Sequence, residues 1–424
     1  MIRLLPFVLV ALLLAVPLTA EAQSTIEDSI SLEELVTEAL ALNPELRASE
    51  ARWQAFVNRA QQAGTFDDPM LMFKIQNALI RDPLAFDRDS MTAKVIGISQ
   101  MVPYFGKRDL ARRSADLEAQ VGRWSHEERK LELARMVRES WYQLYAVDRS
   151  LEIVEGNIRL LDDLVTLAET LYGVGGALQQ DVLRAQLERS KMEDMRIGLR
   201  QQRRSLEARL NNLALRPATQ AIAPAPDLSM TSLNLEAAEL ERLAEEHRPL
   251  LRGLQAELEK SRVARRAAQR EYYPDFTFSL EYMQREAAMD DAGYDMYSAG
   301  ISFNLPVQRQ RRQAMVAEAE SEGRMALQEI EMLRNEIRYG IADGLARLER
   351  NRRLAELYQG GILPQAEITR DAALAAYRVG QYEFMNVLES QMALFNYQRE
   401  HAEAVAEHEM VRVQLEALVG TELR

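Results

Sequence analysis

A repeat constrains this chain more than any single motif. Pro44 in the run NPELR and Pro249 in RPLLR stand 205 residues apart (249 − 44). Pro69 and Pro274 keep that spacing, as do Val174-Gly175 and Val379-Gly380, and Asp181-Val182-Leu183 and Asn386-Val387-Leu388. Gly97-Ile98-Ser99 and Gly300-Ile301-Ser302, with Pro103 and Pro306, keep a spacing of 203 (306 − 103). Four landmarks in one register, and a fifth only two residues off it, make the chain two copies of one unit of roughly 200 residues. Length alone would suggest two or three domains. The repeat implies instead two interleaved halves of one architecture.

The unit is built round a corner. Ala93–Val102 reads as a strand, Pro103 stops it, and a basic helix-forming run starts at Lys107. Proline cannot donate to a ladder and fixes φ near about −65°, so it makes a rigid exit from a sheet. The same corner recurs in YSAGISFNLPVQRQRR, residues 297–312.

Residues 1–22 carry one arginine, an apolar run over Phe7–Val16 and the small-x-small end Ala20-Glu21-Ala22. That pattern predicts a secretory leader cleaved after Ala22, because the apolar run is too short to span a bilayer as a helix. Beyond it, no stretch approaches the roughly 20 apolar residues of a spanning helix. The absence of cysteine excludes disulfides and an N-terminal lipid-bearing cysteine. A net charge of −13 argues against nucleic acid as a partner.

Two hairpins are predicted, over 70–102 and 276–305. In the first, Leu71, Phe73 and Ile75 alternate with Met72, Lys74 and Gln76. In the second, Phe276, Phe278, Leu280 and Tyr282 alternate with Thr277, Ser279 and Glu281, while Ile301 and Phe303 alternate with Ser302 and Asn304. Strands of about ten residues with one apolar face fit a tilted membrane strand, lipid on one side and water on the other. Four strands cannot close round water, and lipid does not tolerate open edges. A membrane reading therefore needs several chains in one barrel; a trimer would supply twelve strands.

The rest is helical. Predicted helices cover 31–62, 106–172, 177–212, 234–270, 307–378 and 382–418. The second would run about 100 Å at about 1.5 Å per residue. Its apolar positions Val154, Ile158, Leu161, Val165 and Ala168 form one seam, and Leu160, Leu164, Leu167 and Leu171 a second. Two seams imply neighbours on both sides, as in a ring of coiled helices. Each half is thus a long helix beside a two-piece one, with a hairpin at one end and a glycine turn at the other. The first repeat covers 23–213, a proline-rich linker along the outside covers 214–232, the second repeat covers 233–420, and a tail covers 421–424.

SQMVPYFGKR, the paired Val-Gly turns followed by DVL and NVL, and the duplication together resemble the TolC family of outer-membrane efflux ducts, over about 23–420. The resemblance implies a mainly α fold with a small β part: a homotrimer whose shared 12-stranded transmembrane β-barrel sits in outer-membrane lipid and continues into a periplasmic α-helical barrel. It implies a passive duct that docks on a periplasmic membrane-fusion adaptor and an inner-membrane pump, of the RND type. DDPMLMFKIQNAL and the SQMVPYFGKR corner are most similar to the branch serving heavy-metal pumps. Multidrug efflux and type I protein secretion are alternatives on the same fold. The resemblance also places Asn386 and Glu389 where an acidic pair narrows the periplasmic entrance, with Asn replacing an acid at the first position. Asp181, the counterpart of Asn386, is expected just outside that ring. Val174, Gly175, Gly176, Val379, Gly380 and Gln381 are the expected adaptor-docking tips. Phe276, Phe278, Leu280, Tyr282, Ile301 and Phe303 are expected to face lipid.

No phosphate loop, HExxH or nucleophile elbow is present. No catalytic residue, cofactor or metal site is predicted, and the chain is not read as an enzyme. The histidines, His126, His247, His401 and His408, are read as surface residues. The 18 methionines are read as gap-fillers in cores. A periplasmic coiled-coil scaffold remains the non-membrane alternative, but it would not need the Phe276/Phe278/Leu280 alternation.

Overall fold

The computed structural model describes residues 30–423 apart from 232, 234 and 289. The expected leader, 1–22, lies outside the described residues. The first repeat contains α1 (Leu32–Leu42), α2 (Pro44–Ala63), β1 (Met70–Gln76), β2 (Ala93–Val102), α3 (Lys107–Gly173) and α4 (Gln179–Leu213). The second contains α5 (Ala237–His247), α6 (Pro249–Arg270), β3 (Phe276–Arg285), β4 (Met296–Phe303), α7 (Arg309–Leu357), a π-turn (Tyr358–Ile362), α8 (Leu363–Arg378) and α9 (Phe384–Val419). As the repeat predicts, α1, α2 and α4 share the length of α3. In the second half α5, α6 and the upper part of α9 pack on α7, and α8 packs on α9. Helix α3 also packs on α6 and α9, which joins the halves.

Two helices expected to be continuous are each cut before a proline. Proline pushes the residue before it out of the helical region, and Asn43 takes φ −58°, ψ 124°. It ends α1, then caps α2 by accepting from the Glu45 amide at 2.9 Å. Its side-chain amide also donates to the Leu213 carbonyl at 3.0 Å, which holds the end of α4. Arg248, before Pro249, repeats the break. Its guanidinium reaches the Ala417 carbonyl near the end of α9 and the buried Glu128 carboxylate, the latter at 2.6 Å.

The long helix expected over 307–378 is interrupted by the π-turn. Pro364 has no N–H to donate and its ring obstructs an ordinary helical bond one turn back. One extra residue in the turn absorbs that loss, and Gly360-Gly361 lies inside it. The linker also departs from expectation. Ile222 and Ala225 are buried in the central core beside Leu206 and Leu210. Arg203 donates to the Ile222 carbonyl at 2.8 Å, and Glu409 accepts from the Thr231 amide at 2.8 Å.

The four strands form one antiparallel sheet, β1-β2-β3-β4. The repeats meet in its middle: β2 pairs with β3 along all ten residues, Ala93 with Arg285 through Val102 with Phe276. Among the described residues, the outer edges of β1 and β4 have no partner strand. At the corner, Asp275 accepts from the Tyr104 amide (2.8 Å) and Lys107 (3.0 Å), and Tyr104 stacks on Tyr273 with 4.6 Å between ring centroids. Gly106 takes φ +85°, which favours glycine, as the helix cap.

Candidate channel wall and entrance

The register sets the two faces of the sheet. Cα partners across a ladder point to one side. Phe73, Ile96, Tyr282 and Tyr297 lie in one row, Leu71, Ile98, Leu280 and Ala299 in the next. Phe278 with Ile301, and Phe276 with Phe303, continue this face. Phe278, Leu280, Tyr282, Ile301 and Phe303 are exposed in the protomer, while Phe276 is partly covered, its ring 6.2 Å from that of Phe303. The opposite face carries Ser99, Thr277, Ser279, Glu281, Ser298 and Ser302. There Lys74 reaches Glu281 at 2.9 Å, across β2. Gly97 leaves the room: a Cβ at that position would stand 3.1 Å from Cγ of Glu281 and 3.2 Å from Cε of Met72.

At the far end of the helices the two Val-Gly turns have one hydrogen-bond pattern. Gly176 donates to the Leu171 carbonyl at 2.8 Å and Gln381 to Ala376 at 3.0 Å; Gly175 donates to Tyr172 and Gly380 to Tyr377, both at 3.0 Å. This is the Schellman closure of a helix end, and it demands a left-handed residue. Gly175 (φ +77°) and Gly380 (φ +72°) supply it. Val174 and Val379 project into solvent. Both tips line one groove of about 330 Å³, with Asp181, Arg184, Tyr377 and Glu383 in its walls.

The entrance candidates separate. Glu389 is exposed, beside the buried pair Val387 and Leu388, so it points away from the protomer core. Asn386 is half-buried, and its carbonyl accepts from Ser390 Oγ at 2.6 Å. Asp181, expected near the same ring, is buried and caps α4 by accepting from the Leu178 amide at 3.2 Å. Tyr377, 4% exposed, comes from the other repeat; its hydroxyl has no partner among the described residues. Burial raises the pKa of that hydroxyl above its ordinary value, and the Asp181 charge raises it further. Ring contact with Phe384 fixes the Tyr377 side chain.

Sequence reasoning missed a polar link in the core above the tips. Gln391 donates to Asn157 at 2.7 Å, and its oxygen accepts from Arg370 at 3.4 Å. His408, expected at the surface, is buried against Glu409 at 3.0 Å, and His126 is buried with Nδ1 2.7 Å from Ser49 Oγ. Among the described residues no helix is long and apolar enough to cross a membrane, and no group of His, Asp or Glu is arranged to hold a metal.

Residues 35–214 and 240–421 each match the family described as outer membrane efflux protein, so the match falls on both repeats. No curated protein matches the chain. Solved structures share the fold. The outer membrane protein VceC from Vibrio cholerae is 19% identical, with 93% of this chain and 97% of that one covered at a TM-score of 0.79. CusC is 15% identical, with 92% of each chain covered at 0.79. The Neisseria gonorrhoeae MtrE outer membrane channel, in its open state, is 14% identical, with 93% and 89% covered at 0.75.

Proposed function

The chain belongs to the outer membrane efflux protein family, and from that premise we propose a homotrimer that forms a passive duct, receiving heavy-metal cations from an RND-type inner-membrane pump through a periplasmic adaptor. Its place is the outer membrane, and it is a channel rather than an enzyme.

One observation carries the trimer: a four-stranded sheet with two open edges and an exposed apolar face. An open edge in lipid leaves backbone groups unpaired, at several kcal/mol each. Pairing β4 of one copy with β1 of the next removes every edge, and three copies give twelve strands. The helices support the same assembly. Met325, Met332 and Tyr339 recur at seven-residue spacing on α7 and are exposed in the protomer, as a seam for another helix would be.

The cation reading is supported by the exposed Glu389. Three copies about an axis would ring a narrow mouth with carboxylates, which attract cations and repel anions. The exposed tips, Val174 to Gly176 and Val379 to Gln381, suit contact with an adaptor.

The test is the mass of the purified protein in detergent, followed by conductance in planar bilayers. Three chains and a water-filled pore are the expected result. A stable water-soluble monomer would overturn the proposal.

A further inference from the structure

Five methionines lie in the strands: Met70 and Met72 in β1, Met101 in β2, Met283 in β3 and Met296 in β4. The register puts all five on the polar face and none on the apolar one. The apolar face is made from Leu, Ile, Phe, Tyr, Val and Ala, with a few polar residues. Gap-filling does not explain this division. A filler methionine belongs in a packed core, yet Met70, Met72, Met101 and Met296 are exposed. Unless something binds them, thioethers facing water gain nothing over the serines and threonines beside them.

We propose that Met70, Met72 and Met101 form a soft-cation site in the lumen, taking a monovalent thiophilic ion such as Cu(I) or Ag(I) in transit. This rests on the duct reading, in which the polar face lines the pore. Met70 pairs with Ser99, so Met101 is its diagonal neighbour across the ladder, and Met72 stands two residues along β1 on the same face. Such diagonal positions lie about 7–8 Å apart, within reach of long side chains. Methionine has three free torsions to bring sulfur inward. Thioether sulfur favours soft ions over Mg²⁺, Ca²⁺ or Na⁺, and the chain has no cysteine to compete. Asp67 and Asp68 precede Met70 in the chain, and the Asp67 carbonyl accepts from Gln100 at 2.8 Å, beside Met101. Carboxylates at this end of the strands favour a cation.

The other two methionines provide an internal contrast. Met283 and Met296 are direct cross-strand partners. Arg285 Nη1, however, lies 3.5 Å from the sulfur of Met296. A guanidinium at that distance opposes a cation, so this pair is not part of the site.

The experiment measures silver bound to the purified assembled protein by equilibrium dialysis in chloride-free buffer, with K⁺ conductance recorded on the same samples. The triple change Met70→Leu, Met72→Leu, Met101→Leu should remove one silver ion per chain or weaken its binding at least roughly tenfold. Met283→Leu with Met296→Leu should bind silver as the parent does. Unchanged binding in the triple variant, or equal loss in both variants, overturns the site. If the triple change prevents assembly, Met72→Leu alone carries the same comparison. A parent that binds silver through the three methionines but carries no K⁺ current would leave the site standing and overturn the duct reading.

Discussion

Gln391 of α9 donates its side-chain amide to Asn157 of α3 across 2.7 Å, inside a largely apolar core that includes Val154, Ile158, Leu161, Leu388 and Phe395. The two residues come from different repeats, so the bond holds the halves together just above the tips. Losing one partner strands the other, at about 1–3 kcal/mol, whereas replacing both with apolar groups is nearly neutral. Gln391→Leu should therefore lower the temperature at which the assembled protein dissociates, and Asn157→Leu added to it should restore most of the loss. Additive losses in the double variant would show that the bond does not matter.

The strand faces give the next prediction. Arginine at a lipid-facing midplane site costs about 2–4 kcal/mol. Phe278→Arg should sharply reduce assembled protein in membranes, and Ser279→Arg, one residue along and on the other face, should not. Heat-resistant oligomer on a denaturing gel is the readout, and equal effects would contradict the assignment.

At the tips, a Cβ on Gly176 would meet only ordinary contacts, the nearest being the Leu171 carbonyl at 3.5 Å. Gly176→Arg should thus fold and assemble. If the tips meet the adaptor, export should stop. Gln381→Arg should act alike, and full export in both would take the tips out of the interface.

Acid should loosen the linker. Burial alone would raise the Glu409 pKa, but hydrogen bonds from His408, the Thr231 amide and Arg412 outweigh it and hold the carboxyl below its ordinary value. A depressed carboxyl stabilises the fold above its unfolded pKa, and that contribution fades as pH falls through the folded one. The loss should begin below the ordinary value of 4.5. Protease cleavage within 214–232 should rise on acidification, and Glu409→Gln should be cleaved readily already at neutral pH. Cleavage unaffected by either change would discount the tether.

Glu389→Ala should weaken cation preference and block by multivalent cations in bilayer recordings, since the exposed carboxylate is what a passing ion would meet. If Glu389→Ala, alone and with Asn386→Ala, leaves both unchanged, the gate lies elsewhere.

Much of this was legible in the sequence because its rules are local. Alternation marked β2 at its observed ends, Ala93 and Val102, and the glycine turns followed from left-handed closure. The breaks at Asn43 and Arg248 were harder, because apolar periodicity continues past Pro44 and Pro249 and reads as one helix. The linker's three prolines suggested a surface path, and only the assembled core shows that Ile222 is driven inward. The burial of Asp181 had no local signal, since the tyrosine that covers it lies in the other repeat. The exposure of Glu389 was legible, since it stands next to two apolar residues, Val387 and Leu388, that face inward.

The π-turn at Tyr358–Ile362 makes the duplicated halves unequal. The wider turn takes up one surplus residue, so the side chains below it stand about 100° from where an unbroken helix of the same residues would put them. Helix α3 has no such turn. The two repeats therefore differ in their long struts, and a ring built from three such chains would have half the rotational symmetry that its six repeats would suggest.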